Sequence, residues 1–474
     1  MVLAQNAVTR VCSLGSQLAL AALLDPADFG LIGLTYGITT IVATLTNLGV
    51  EDVILQRKRT VHLWSGAAFW INLGLSSAGG TVILLMAPIA ALVYRTHQLT
   101  GLMAVLALSM PLSALSSVPG LIMRSEMQFG VSAVYGSLEV IATALMTVGF
   151  AWAEFGAYSF VIPTPITALV RAAVYWSLIT VKPRLNSRRD RWKYLVRNTA
   201  ASFTSRTIVS IIGQGDYMVL GLLATQTVVG GYYFGFRLAA QPLWVLAGNL
   251  AGILYPTLIQ LNDDPKRQGA AAFQATILLS YSVMPLAFIQ AAVAGPALSS
   301  FFGDKWAASI PVIQVLSIGL ALDAMSWVAG TLLAARGEFT AGLRYIMYQL
   351  PLFFLLVTAG ALWGQALGVA WAVCIFYAVS QPVFVYRVYR RVDVTRGRVA
   401  LMYILPFCYA ALATGCGLLV AKVTLFEMWP LVRVGIIGVV AVMAYATLIR
   451  LFAHEVWLEI IRHFARLLKR QTSV

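Results

Sequence analysis

Fourteen long apolar stretches run through this chain, separated only by short connectors whose Lys/Arg content alternates. About 20 apolar residues in succession make a helix long enough to cross roughly 30 Å of hydrocarbon. Stretches of that kind fill most of the 474 residues. With 60% hydrophobic and 11% charged residues, a water-soluble fold lacks the polar surface to cover them. Lipid offers the backbone no hydrogen-bond partners, so spanning segments of this length must be helical. The sequence predicts an all-α polytopic membrane protein with about 14 transmembrane helices.

The spans fall at about 4–24, 29–50, 63–93, 99–123, 130–152, 156–181, 199–223, 229–258, 270–295, 307–335, 342–362, 366–386, 400–421 and 429–452. Pro88, Pro242, Pro285 and Pro311 are expected kink sites, because proline removes a helix N–H. With the N-terminus inside, the connectors 51–62, 124–129, 182–198, 259–269, 336–341 and 387–399, the tail 453–474 and Arg344 hold 24 Lys/Arg. The opposite side holds three: Arg95, Lys305 and Lys422. Positive charge stays cytoplasmic, so both termini are expected there. The formal charge of +15 therefore has a membrane explanation and does not call for nucleic acid.

The richest connector carries Lys182, Arg184, Arg188, Arg189, Arg191, Lys193 and Arg197 against one acid, Asp190. Topology and anchoring to membrane lipids come first as its role; docking the phosphates of a lipid-linked substrate comes second. Cys12, Cys374, Cys408 and Cys416 are scattered within spans, and His62, His97, His454 and His463 are isolated. Neither set has disulfide or metal-ligand spacing, so no metal and no cofactor are expected. Met1 leads almost directly into a span, without a secretory-signal pattern.

The basic connector divides the first twelve spans into six and six. This gives a lobe at 1–182, a linker at 183–198, a lobe at 199–395, an extra helix pair at 396–452 and an amphipathic tail at 453–474. The halves echo each other. Leu23–Leu24, a polar break and Phe29–Gly30 open span two; Leu222–Leu223, a polar break and Val229–Gly230–Gly231 open span eight. The exits rhyme as well, residues 49–56 against 252–260. Six spans per half make the repeat parallel, about an axis along the membrane normal. In the tail Val456, Trp457, Ile460, Ile461, Phe464, Leu467 and Leu468 recur at helical spacing, as in a helix lying at the interface.

The segment Leu24-Asp-Pro-Ala-Asp-Phe-Gly-Leu31 resembles the opening of the second helix in polysaccharide flippases of the multidrug/oligosaccharidyl-lipid/polysaccharide superfamily. Gly215–Gly221, then Gly231-Tyr-Tyr-Phe-Gly-Phe-Arg-Leu-Ala-Ala-Gln-Pro242, then Tyr255–Pro256, resemble helices seven and eight of that group. The similarity runs over about residues 10–390. The cytoplasmic leader that usually precedes helix one is short here. The resemblance implies movement of polyprenyl-pyrophosphate-linked oligosaccharide across the inner membrane, with helices one, two, seven and eight lining a cleft between lobes.

An ionisable group inside hydrocarbon is costly unless paired or wet, so each is a functional candidate. The spans contain Arg10, Glu139, Arg171, Arg206, Asp216, Arg237 and Asp323. Guanidinium groups stay charged and bind phosphate oxygens in pairs. On span seven Ser202, Arg206, Ser210, Gly213 and Tyr217 form one stripe at 100° per residue, with Gln214 at its margin. The resemblance makes Arg10, Arg206 and Arg237 cleft candidates, with Tyr217 and Gln214 beside them. Tyr232, Tyr233, Trp244 and Tyr255 are weaker candidates for stacking on sugars. Glu139 and Arg171 reach similar depth and are expected to pair. Asp323 is either a proton or sodium site or a structural carboxylate. Asp216 and Arg237 match in depth if the hairpin between spans seven and eight turns between Gln226 and Thr227. They are then expected to share a local polar site, either as a static ion pair or as a switch that a substrate phosphate or a proton on Asp216 releases.

The resemblance therefore implies a flippase for exopolysaccharide, capsule or O-antigen repeat units, working by alternating access with lipid-linked oligosaccharide as its partner. Other polysaccharide assembly proteins are candidate partners. A multidrug antiporter of the same superfamily is the first alternative, although it would usually need acids to hold cationic drugs. An integral-membrane glycan polymerase is the second. Outer connectors of at most about eleven residues leave little room for a catalytic constellation, so no enzyme activity is expected.

Overall fold

A computed structural model describes residues 2–46, 61–125, 129–179, 189–424 and 430–459. The exit segment 49–56, residues 182–188 of the basic connector and the tail beyond 459 lie outside these residues. Within them the fold is helical, in this order: α1 Val2–Leu23, α2 Pro26–Thr46, α3 Val61–Val93, α4 Gln98–Leu115, α5 Ser117–Ser125, α6 Phe129–Trp152, α7 Tyr158–Val161, α8 Pro163–Leu178, α9 Arg189–Leu223, α10 Gln226–Ala239, α11 Gln241–Gln260, α12 Pro265–Phe302, α13 Ser309–Ala335, α14 Phe339–Tyr389, α15 Arg396–Thr424 and α16 Pro430–Phe452.

Eleven helices among the described residues are long and apolar enough to cross a membrane. One of them, α14, is two spans joined at Gly364–Gln365, where the backbone leaves helical angles. Arg10 and Gln17 in α1, and the polar stripe of α9, dilute those two helices, which are otherwise long enough to span. The arrangement is compatible with fourteen crossings. Because α9 begins at Arg189, the second half of the basic connector is already helical.

The chain divides by packing into two compact units, Met1–Tyr233 and Phe234–Val474. In the first, α1 packs on α6, α2 on α9, and α4 on both α3 and α8. In the second, α12 packs on α11, α13, α15 and α16, while α14 packs on α13. The extra pair α15–α16 is therefore seated on α12.

Prolines bend or break these helices, and side chains from neighbouring helices take up the carbonyls they leave without an N–H partner. Pro119 frees the Leu115 carbonyl, which accepts the Trp176 indole N–H at 2.9 Å. Pro242 frees that of Leu238, which accepts the Gln290 amide at 2.6 Å. Pro285 frees that of Tyr281, which accepts the Tyr445 hydroxyl at 2.8 Å. The first bond anchors α8 on the α4–α5 break, the second fixes the α10–α11 break, and the third docks α16 on α12.

The echo between halves corresponds to two hairpins with one geometry. α1 ends at Leu23 and α2 starts at Pro26; α9 ends at Leu223 and α10 starts at Gln226. The Leu24 N–H donates to Leu20 and the Ala224 N–H to Leu220, each at 2.8 Å.

Candidate functional site

The polar stripe of α9 changes character along its length. Arg206 and Gly213 are exposed, Ser210 and Gln214 half-buried. Tyr217 is 3% exposed and Asp216 beside it 2%. The side chain of Ser202 lies outside the described set. The stripe is thus open at its Arg206 end and closed toward the α9–α10 turn. Thr44 of α2 donates to Ser210 at 3.2 Å, which fixes α2 along one edge.

The closure is aromatic. The Tyr217 ring meets those of Tyr232 and Tyr233 edge-on, with centroids 5.6 and 5.5 Å apart. Tyr233 also lies against Gly33 of α2. The Tyr232 hydroxyl donates to Asp216 Oδ2 at 2.7 Å, and the Tyr217 N–H donates to Asp216 Oδ1 at 2.9 Å. A carboxylate removed from water needs donors of this kind, so the aspartate and the aromatic plug hold each other in place.

The hairpin turns at Ala224–Thr225, two residues before the expected centre. That shift brings Tyr233 and its neighbour Tyr232, rather than Arg237, to about the depth of Asp216 at a helical rise of ~1.5 Å per residue. Arg237 follows five residues later on α10, half-buried, and its carbonyl accepts the Gln241 amide at 3.2 Å.

The second-helix motif has a local task. Asp28 Oδ2 accepts the Asp25 N–H at 3.3 Å while the Asp28 N–H donates to the Asp25 carbonyl at 3.0 Å. This is the side-chain half of a capping box, the residue at N3 reaching back to the N-cap N–H, with Pro26 at the first helical position. Asp28 Oδ1 also accepts the Ala157 N–H at 3.1 Å. There the chain passes Gly156 at a φ of +55°, a conformation that favours glycine. The motif therefore ties the α1–α2 turn to the connector between α6 and α7.

Arg10 is half-buried on α1. Two turns along the same face, Gln17 is 4% exposed, and neither of its amide atoms finds a hydrogen-bond partner among the described residues. Asp323 on α13 accepts Ser326 Oγ at 2.9 Å and Trp327 Nε1 at 3.0 Å, both from its own helix. Arg171 meets Glu139 at 3.1 Å and Ser116 Oγ at 3.1 Å, so the expected pair is present. Of the aromatic residues on span eight, Tyr232 and Tyr233 are buried in packing and Tyr255 is exposed. Sequence reasoning missed three residues: Tyr232 as the partner of Asp216, Asp28 as a tether and Gln17 as a buried amide. Only Asp28 left a local signal, the Asp-Pro-x-Asp spacing.

Comparisons with known proteins agree with this architecture. A family model described as polysaccharide biosynthesis protein matches residues 19–311. The lipopolysaccharide biosynthesis protein WzxC of Escherichia coli (strain K12) is 22% identical over 372 residues, covering 74% of this chain and 72% of that protein. The succinoglycan biosynthesis transport protein ExoT of Rhizobium meliloti (strain 1021) is 24% identical over 303 residues, 63% of this chain and 60% of that protein. Among solved structures, the lipid II flippase MurJ in an inward closed conformation superposes with a TM-score of 0.74 at 13% identity, over 95% of this chain and 98% of that one. An inward-facing multidrug resistance MATE transporter of the MOP superfamily gives 0.67 at 15% identity, over 83% and 98%. At these identities the structures establish the shared fold.

Proposed function

Because this chain belongs to the polysaccharide biosynthesis protein family, we propose that it flips polyprenyl-pyrophosphate-linked oligosaccharide repeat units across the bacterial inner membrane. The glycan so delivered feeds exopolysaccharide, capsule or O-antigen assembly. Transport runs by alternating access of two lobes, 1–182 and 199–395, with both termini in the cytoplasm. The helix pair 396–452 braces the second lobe, and the linker 183–198 and the tail 453–474 rest on anionic lipid headgroups. Polysaccharide assembly proteins receive the flipped unit on the far side.

The observation that carries this reading is the graded stripe of α9. Its cationic end, Arg206, is exposed, and its other end is closed by Tyr217, Tyr232 and Tyr233. A headgroup entering from the cytoplasm meets a guanidinium first. Arg206 takes the pyrophosphate at entry, Arg10 and Arg237 take it at later stages, and Gln214 and Tyr217 meet the sugars. Rigid guanidinium forks suit phosphate oxygens better than ammonium groups do. Asp216 and Asp323 are the coupling candidates, since each carboxylate could exchange its present donors for a proton or a cation. For Asp216, release of Tyr232 would open the plug.

A multidrug antiporter is the alternative, favoured by the MATE likeness in fold and disfavoured by an arginine at the open end of the stripe. One experiment separates them. Purified protein in proteoliposomes is given a lipid-linked oligosaccharide and, separately, a cationic dye, with and without proton and sodium gradients. Dye flux without movement of the glycan lipid would sink the flippase reading.

A further inference from the structure

The α9 stripe leaves one intramembrane ion pair unused. Glu139 and Arg171 lie in two apolar spans, α6 and α8, yet their side chains retain 27% and 31% of their accessible surface. That exposure is turned away from the apolar exposed faces of both helices. On α8 the exposed positions are Ile166, Leu169, Val170, Ala173 and Ser177, which share one side of the helix and are almost wholly apolar. At 100° per residue, Arg171 points about 140° away from Ile166. On α6 the exposed face is Val134, Leu138, Ala142, Leu145 and Gly149. Glu139 is about 100° from Leu138, on the flank shared with Thr143. Among the described side chains of α6 only Thr147 and Ala151 are buried, and most others away from the apolar face are half-buried.

The chemistry of the pair is specific. Arg171 uses Nε on Ser116 and Nη1 on Glu139 Oε1. Nη2 and Glu139 Oε2 carry no further hydrogen bond among the described residues. A donor therefore stands beside an acceptor in an accessible interior, and the pair as a whole is neutral. An anion would be repelled by Glu139 and a cation by Arg171. A neutral polyol is repelled by neither, and charge-assisted hydrogen bonds are the strong ones. The α4–α5 break at Ser116 and the Trp176 bond to Leu115 fix the backbone around the pair, so its geometry is set before a ligand arrives.

We propose that Glu139 and Arg171 form a sugar subsite in the first unit that takes adjacent hydroxyl groups of a neutral pyranose. One hydroxyl donates to Glu139 Oε2 and its neighbour accepts from Arg171 Nη2. This deepens the flippase reading and rests on it: the subsite reads the glycan, and the arginines of the transport path read the pyrophosphate. The pair is a binding site and takes no part in covalent chemistry.

The test uses two lipids in proteoliposomes, polyprenyl pyrophosphate with an oligosaccharide and the same lipid without sugar. Glu139→Gln and Arg171→Lys each keep a hydrogen bond within the pair while changing what it offers outward. KM for the sugar-bearing lipid should rise about tenfold, the size of one charge-assisted hydrogen bond. The maximal rate and the KM for the bare lipid should stay. Equal losses for both lipids would show a merely structural pair, and unchanged KM values would end the idea. A wild type that moves neither lipid overturns the flippase reading itself and the subsite with it. Should a variant fail to fold, the wild type still decides. Free oligosaccharide at saturating concentration should protect Glu139 from carbodiimide–amine labelling read by mass spectrometry, and absence of protection refutes the subsite.

Discussion

Gly30 and Gly230 face each other across the crossing of α2 and α10, each against the helix start that carries the other. A Cβ on Gly30 would lie 2.0 Å from the Gln226 carbonyl oxygen, and a Cβ on Gly230 would lie 1.7 Å from that of Pro26. Each contact is to the residue four positions before the partner glycine, so the two halves of the crossing mirror one another. The repeat seen as an echo in the sequence is here a physical contact between its two copies.

Neither glycine tolerates a methyl group at that distance from backbone. Gly30→Ala or Gly230→Ala should each destabilise the protein by about 1–3 kcal/mol, as overpacking does. The two substitutions push apart one crossing, so the double variant should cost less than the sum. Thermal unfolding in detergent measures this, and an additive double variant would contradict a shared contact.

The bond from Tyr232 to Asp216 gives a second expectation. Tyr232→Phe removes the hydroxyl donor and leaves a buried carboxylate oxygen unsatisfied, at a cost of about 1–3 kcal/mol. In an Asp216→Asn background the cost should shrink, because a neutral amide needs the donor less. A double-mutant cycle on unfolding free energies gives the coupling. A coupling near zero would mean that Tyr232 acts only through its ring.

Much of this was legible in the sequence, for identifiable reasons. Helical class follows from hydrocarbon thickness, which is a property of the solvent, and the eleven candidate spans among the described residues are compatible with the fourteen expected. The Glu139–Arg171 pair was readable because two opposite charges at one depth seldom remain apart in lipid. Helix rotation was not readable, and neither was the turn position to within two residues. That small shift put Tyr232 in place of Arg237 opposite Asp216. The link from Asp28 to Ala157 joins residues 129 positions apart, which no local pattern encodes. Pro242 and Pro285 were marked from the sequence, Pro119 was not, and Pro311 falls in the first turn of α13. Trp176, Gln290 and Tyr445, which complete the three freed carbonyls, come from other helices.

The loop charges make a topological prediction. Reporter fusions at Ala224, Trp363 and Lys422 should all report the outer face. Ala224 lies in the α9–α10 turn and Trp363 beside the bend of α14. A cytoplasmic signal at any of the three would change the number of crossings.

Arg206 and Arg237 are expected to differ from lysine at the same positions. Lysine keeps the charge and loses the planar fork, so Arg206→Lys and Arg237→Lys should each lower transport of the lipid-linked oligosaccharide by roughly tenfold. Full activity of Arg237→Ala at normal expression would remove that residue from the transport path. Exposed Arg206 is the better-placed of the two for first capture, so its substitution should raise KM more than it lowers the maximal rate.

The bond between Tyr445 and the Tyr281 carbonyl allows the sharpest test, because its cause can be removed separately. Pro285 leaves that carbonyl without a helical N–H, and the Tyr445 hydroxyl on α16 takes its place at 2.8 Å. Tyr445→Phe should cost about 0.6 kcal/mol and at most about 1.7 kcal/mol, the mean and maximum for hydrogen bonds between membrane helices, and should loosen α16 from α12. Pro285→Ala returns an N–H to the helix and straightens it, so the carbonyl regains its own partner. In that background Tyr445→Phe should be nearly neutral. Unfolding in mixed detergent measures stability, and protease sensitivity of the connector between α15 and α16 measures docking of the pair. If Tyr445→Phe costs the same with and without Pro285, the hydroxyl does not complete the kink, and α16 is held by its apolar face alone.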